Sequence, residues 1–217
     1  HRARGLLVRQ RTMSACAIRA HLAEYGIVVA QGRHRVEALV SKMDEQREYL
    51  PDEACFALDA LIGQLKALNV GIEEVDARLA QIHETHPICH LLATIPGIGP
   101  VTATAFAATI PDPSAFRSGR EFAAWLGLTP RQNSSGGKSR LGGITKQGDR
   151  YLRHLLVLGA RTVVRYPKAR SRVDGPWPEA LLDRRRPMVV AVAVANKLAR
   201  IIWAMLTTGE FFRSATA

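Results

Sequence analysis

The sequence predicts an all-α protein: a long coiled-coil helix segment followed by a compact helical domain. Three observations carry that prediction. Apolar residues from Leu58 to Ile82 recur every three or four positions, Pro and Gly punctuate the chain where helices should start and stop, and no stretch shows the two-residue alternation of a half-buried strand. No internal repeat is visible. The domains expected are residues 1–86, a helical connector and coiled-coil dimerisation segment, and residues 87–217, a compact helical domain.

Residues 2–25 read as a helix with Leu6, Leu7, Met13, Ala17, Ala20 and Leu22 as its main apolar positions. It should stop at Tyr25–Gly26, since glycine takes the left-handed cap conformation without a Cβ clash. A short helix is expected over 34–48. Pro51, followed by Asp52 and Glu53, opens the next helix with proline at its first position and acids in its first turn. From there Leu58, Leu61, Leu65, Leu68, Ile72, Val75, Leu79 and Ile82 form an a/d seam sustained over more than three heptads. The seam suits pairing between two chains; the competing arrangement is an antiparallel hairpin with residues 2–25. Pro87 ends this helix. His83, His86, Cys89 and His90 gather near its end, but Pro87 separates them and nothing downstream completes a metal site, so no metal ligand is assigned.

Residues 89–110 place two short apolar helices around Pro96-Gly97-Ile98-Gly99-Pro100. This is similar to a helix-hairpin-helix motif, in which the backbone N–H groups of Gly97, Ile98 and Gly99 meet a phosphate. A plain tight turn between helices is the alternative. Asp112-Pro113-Ser114 reads as a turn, and Ser118-x-x-Glu121 as a capping box opening a helix through Trp125. A helix is expected over 149–165, with Leu152, Leu155, Leu156, Gly159 and Val163 as its buried stripe. Residues 166–187, rich in Pro, Gly and Arg, read as an irregular connection. Pro187 starts a last helix to about Thr208, largely apolar all round and so expected to be buried.

Charge divides the chain unevenly. Residues 1–86 carry 11 Lys+Arg against 12 Asp+Glu, and residues 87–217 carry 19 against 7. The second half is therefore expected to meet nucleic acid or another anionic surface. Cys16, Cys55 and Cys89 lie far apart without a CxxC, so no disulfide framework or zinc ribbon is indicated and a reducing compartment fits best. Asn196, Lys197 and Arg200 interrupt the apolar run 188–206; charges cost about 2.5–3.5 kcal/mol each at a bilayer centre, so a core helix is expected and no membrane span. The chain begins at His1 without a methionine or signal-peptide pattern, and reads as a fragment of something longer.

The stretch from Gly127 to Arg153 carries the chemistry. Ser134 and Ser135 precede Gly136 and Gly137, and a second glycine pair stands at Gly142 and Gly143. Arg131, Lys138, Arg140, Lys146, Arg150 and Arg153 surround them, with Asp149 the one carboxylate. A flexible cationic loop suits a phosphate-rich partner, and a hydroxyl held there can attack phosphorus. A solvated Ser/Gly linker has the same composition.

Taken together, IPGIGPVTA, FRSGREFAAWLGLTP, SSGGKSRLGGITKQGDRYLRHLL and NKLARIIWAML resemble the insertion-sequence 110 transposase family. The resemblance is strong over 87–217 and extends over 1–86. It implies a DNA recombinase guided by a structured RNA. It also implies a catalytic serine before a glycine, which maps onto Ser135 with Ser134 adjacent. Family members begin with a Holliday-junction-resolvase-like domain whose carboxylates bind magnesium. This chain has no such domain ahead of its first helix, so magnesium is expected in the full-length protein and no cofactor in this fragment, which alone is expected to be inactive. Expected partners are DNA, guide RNA and a second copy through the 52–86 helix, in a bacterial cytoplasm at the nucleoid. The rival function is a non-catalytic module that binds nucleic acid and dimerises.

Overall fold

The computed structural model describes residues 1–28, 36–138 and 140–214. Its fold is helical, and it divides into two compact units, His1–Arg78 and Leu79–Ala217.

The first unit holds α1 (Arg2–Glu24), α2 (Val36–Glu45), a 3-10 turn (Arg47–Tyr49) and most of α3 (Asp52–Thr85). Gly26 ends α1 as expected, at φ +77 with its N–H on the Ala23 carbonyl at 3.0 Å. The expected start of the second helix at residue 34 lies outside the described residues. Arg4 pairs with Asp76, Leu7 reaches within 3.8 Å of where a Gly71 Cβ would stand, and Ile18 and Leu22 share a core with Leu58, Ile62 and Leu65. These pairings run in opposite directions along the chain, so α1 lies antiparallel to α3. The first part of the heptad seam is thereby covered within one chain: Leu58, Leu65, Leu68 and Ile72 are all buried, whereas Ile82 at its end is 36% exposed. Cys55 and Ile62 join them, which makes a wider stripe than a strict a/d seam and matches a helix packing on its own domain. The opposite side of α3 leaves Phe56 79% and Val70 55% exposed.

The second unit is built around α10 (Pro187–Thr208), whose Val190, Ala191, Val194, Ala195, Leu198, Ala199, Ile202 and Met205 form a buried stripe. Around it pack α4 (Pro87–Ala93), α6 (Gly119–Trp125), α7 (Arg150–Arg165) and α9 (Trp177–Leu182), while α5 (Pro100–Thr109) packs on α4 and α7. Each fully buried Leu, Ile or Phe in this core contributes about 1.5–3 kcal/mol. By length and composition alone α3 and α10 are apolar enough to cross a membrane. Both instead bury an apolar stripe against protein. The start of α10 departs from the expected all-round burial, with Met188 and Val189 about half exposed.

Local signals in this unit act as expected. The Ser118 hydroxyl accepts from the Glu121 N–H, the Glu121 carboxylate accepts from the Arg117 N–H, and Asp149 caps α7 by accepting from the Leu152 N–H at 2.8 Å. Two expectations are corrected. Residues 166–187 are not irregular: α8 (Pro167–Asp174) and α9 occupy them, each with proline in its first turn, where the missing N–H costs nothing. The central loop is also not strandless. It forms β1 (Pro130–Gln132) and β2 (Leu141–Ile144), too short and glycine-rich to show alternation in the sequence.

Candidate functional site

The two strands pair antiparallel, with Pro130 opposite Ile144 and Gln132 opposite Leu141. Two residues of β2, Gly142 and Gly143, therefore stand against Arg131 alone, which is a β-bulge. Beyond the strands the Asn133 N–H donates to the Arg140 carbonyl at 2.8 Å, and Ser135 bridges Lys138. The tip is Ser135-Gly136-Gly137-Lys138, with φ of +54 and +77 at the glycines. Two central residues at positive φ define a type I′ turn, whose twist matches that of the strands it joins. The Gly136-Gly137 pair is thus a turn, and its flexibility in sequence becomes a defined hairpin in the fold.

The base of the hairpin is locked. The Thr145 N–H donates to the Thr129 carbonyl at 2.9 Å and the Lys146 N–H to the Gly127 carbonyl at 3.1 Å. A Cβ at Gly148 would stand 1.7 Å from the Trp125 carbonyl oxygen, so backbone passes backbone there with no room for a side chain. Arg153 donates to the carbonyls of Leu126 and Gln147, both at 3.0 Å. Asn196 of α10 donates to the Leu128 carbonyl at 3.2 Å. Arg153, one of the six cations around the serines, is therefore a structural tie.

The two serines differ. Ser134 Oγ accepts from the Arg140 N–H at 3.0 Å, which spends it on the hairpin. Ser135 is exposed, and its hydroxyl makes no hydrogen bond among the described residues. Around it Lys138 and Arg140 are exposed, as are Lys146 and Arg150 nearer the base. Arg131 donates to the Thr145 carbonyl at 3.2 Å, within its own hairpin. The hairpin from Pro130 to Ile144 holds no carboxylate or imidazole.

The other expected contact, the Gly97–Gly99 turn, joins α4 to α5. Only Gly97 has positive φ, at +85; Gly99 is extended at φ −99 and forms the N-cap of α5. Gly97 also packs on α7: a Cβ there would be 2.7 Å from the Gly159 carbonyl oxygen, and one at Gly159 would be 2.2 Å from that of Gly97. Ile98 is buried in the core at 5% exposure. Of the three positions assigned to this turn, Gly99 is the one that faces solvent. The pairing of Gly97 with Gly159 was absent from the sequence reading, which carried each glycine in a separate element.

Residues 89–174 match the family model described as Transposase IS116/IS110/IS902 family. A Sinorhizobium fredii protein that bears the name transposase y4pF/y4sB is 46% identical over 211 residues, covering 96% of this chain and 54% of the relative. A Pseudomonas aeruginosa protein named as a family 20 transposase is 43% identical over 98% of this chain and 64% of its own length. The transposase for insertion sequence element IS1328 of Yersinia enterocolitica is 38% identical over 98% of this chain and 63% of the relative. The chain thus spans between half and two thirds of the length of these relatives.

Proposed function

We propose that this chain, which belongs to the IS116/IS110/IS902 transposase family, is the part of a transposase that holds DNA and presents a serine nucleophile for strand transfer. The observation that carries the reading is the contrast between two adjacent hydroxyls. Ser134 Oγ accepts the Arg140 N–H within the hairpin, whereas the Ser135 hydroxyl, at the exposed tip of the turn, makes no hydrogen bond among the described residues. In the proposed step the Ser135 Oγ loses its proton and forms a bond to phosphorus as one phosphodiester P–O bond breaks, and the departing DNA oxygen takes the bonding pair and a proton to leave as a free hydroxyl end. Serine is a weak nucleophile at its free pKa, so position and neighbouring charge do the activating. Lys138 and Arg140 would stabilise the developing negative charge on the phosphoryl oxygens. The flanking glycines let backbone approach the phosphate closely.

The magnesium implied by the resemblance does not fit the residues around Ser135. Asp149 and Glu121, the two nearest carboxylates in sequence, are committed to capping α7 and to the start of α6. Among the described residues no cluster of three His, Cys, Asp or Glu could hold a metal ion. In this proposal the proton acceptor and any metal would come from the part of the relatives that this chain does not span. Guide-RNA binding belongs to the same proposal and draws on the cationic excess of residues 87–217. The exposed N-terminus of α5 at Gly99 supports a phosphate contact of helix-hairpin-helix type. Self-association of α3 would use its outward side, where Phe56 and Val70 are exposed, since α1 occupies the seam.

A second reading, a non-catalytic binding and dimerisation module, is favoured by the lack of any carboxylate or imidazole in the hairpin. Both readings require nucleic-acid binding, which fluorescence anisotropy tests with duplex DNA across a salt series. Affinity should fall steeply with salt, and Lys138→Glu and Arg140→Glu should each lower the slope of log affinity against log salt by about 1. Affinity that stays flat with salt contradicts both.

A further inference from the structure

Beside the hairpin, within the second unit, lies a cleft of about 800 Å³ that the serine chemistry does not use. Met188, Val189, Val192 and Ala193 of α10 line it. Met188 and Val189 are 51% and 52% exposed although they begin a core helix. Across from them the lining includes Gly142 and Gly143 of the bulge, which offer backbone without side chains, and a Cβ at Gly143 would meet nothing within 4 Å. Trp177 of α9 adds an indole. The volume suits a small ligand, and the apolar lining with a few polar groups has the character of a ligand site.

Charge narrows the choice of ligand. Asp174, the one carboxylate in the lining, is paired with Lys197 at 3.0 Å. Lys146 and Arg200, both exposed, make no ion pair among the described residues. Lys146 is also the one non-glycine residue at positive φ among those described, at +58, with its N–H held by the Gly127 carbonyl. A strained backbone held in place next to a cleft marks a position whose side-chain direction matters. Asn196 uses its amide nitrogen on the Leu128 carbonyl, which leaves its oxygen as an acceptor.

We propose that this cleft receives one unstacked nucleobase of a bound strand, with Lys146 and Arg200 taking the flanking phosphates. A nucleobase is a flat ring with apolar faces and a polar edge, attached to anionic phosphates, and that combination matches the walls, the Asn196 acceptor and the two cations. An apolar protein side chain would satisfy the walls and leave both cations unused. The inference rests on the nucleic-acid reading above and adds a base-reading site to it.

The test measures anisotropy with a short thymidine oligonucleotide and an abasic oligonucleotide of the same length, which carries the same phosphates. This chain should bind the thymidine strand about tenfold more tightly, the scale of one stacked base. Ala193→Trp, which fills the cleft, should abolish that preference and leave affinity for the abasic strand unchanged. The double variant Met188→Ala, Val189→Ala should do the same; both side chains are about half exposed, so it preserves the fold even where the tryptophan disturbs α10. A preference that is absent in the parent chain, or that survives in the folded variants, overturns the cleft assignment and leaves nucleic-acid binding standing. Failure to bind either strand overturns the nucleic-acid reading itself. Variants that change the mass seen by light scattering but not the base preference point to a protein segment as occupant, and also overturn the proposal.

Discussion

Gly159→Ala sets two physical effects against each other. Gly159 lies inside α7, where alanine is favoured over glycine by about 1 kcal/mol on helix propensity. Packing has the opposite sign. An alanine Cβ at 159 would stand 2.2 Å from the Gly97 carbonyl oxygen and 3.1 Å from its carbon. The obstacle is backbone, which cannot rotate aside as a side chain does. Nor can the turn retreat easily, because Ile98 behind it is buried in the core. Overpacking of this kind costs about 1–3 kcal/mol, and a backbone clash belongs at the upper end. Taking about 3 and subtracting the helix gain leaves a loss of about 2 kcal/mol. At about 3 °C per kcal/mol for a unit of this size, the midpoint should fall by about 6 °C. Thermal unfolding followed by circular dichroism reads it directly. An unchanged or raised midpoint would refute the close packing of the turn on α7.

Three further outcomes follow from the same contacts. Gly99→Val should leave stability nearly unchanged, since φ there is −99 and a Cβ meets nothing within 4 Å, yet weaken DNA binding in anisotropy by crowding the α5 N-terminus; equal affinity would make the turn purely structural. Leu65→Lys puts a charge at a fully buried position and should destabilise the first unit by about 3 kcal/mol or more, whereas Phe56→Lys should leave it folded and lower any self-association seen by light scattering. The hydrogen bonds from Arg47, at 3.1 and 2.5 Å, hold the Asp59 carboxyl below its ordinary value of 3.8. Its stabilising contribution is thus present above that value and lost as pH falls through the depressed one, so Asp59→Asn should flatten the acid limb of the first unit's stability curve.

Much of the fold was readable because its signals are local. Gly26, the Ser118 capping box, Asp149 and Pro187 each act through atoms a few residues away, so sequence order alone places them. The heptad spacing of α3 was also correctly seen, but spacing does not say which surface covers it. That depends on α1 returning antiparallel, a long-range fact carried by pairs such as Arg4 with Asp76. The hairpin was missed because its strands are three and four residues long and rich in glycine. Its turn signal, two adjacent glycines between polar residues, was present and was read as flexibility. The resemblance pointed to Ser135 with Ser134 adjacent, but the hydrogen bond that distinguishes the two hydroxyls in the fold, from the Arg140 N–H to Ser134 Oγ across the hairpin, could not come from sequence. Nor could the role of Arg153, whose two acceptors lie on different turns of the chain.

The central claim is that Ser135 becomes covalently attached to DNA. The direct measurement joins this chain to the remaining part of a full-length relative, supplies magnesium, guide RNA and end-labelled DNA, and looks for label on the protein in a denaturing gel. Labelled protein should form with the parent chain and with Ser134→Ala, the latter in lower yield because the hairpin loses one hydrogen bond. Ser135→Ala should give none while binding DNA as tightly as the parent. Label that persists in Ser135→Ala would contradict the claim, and label lost only in Ser134→Ala would move the nucleophile by one residue.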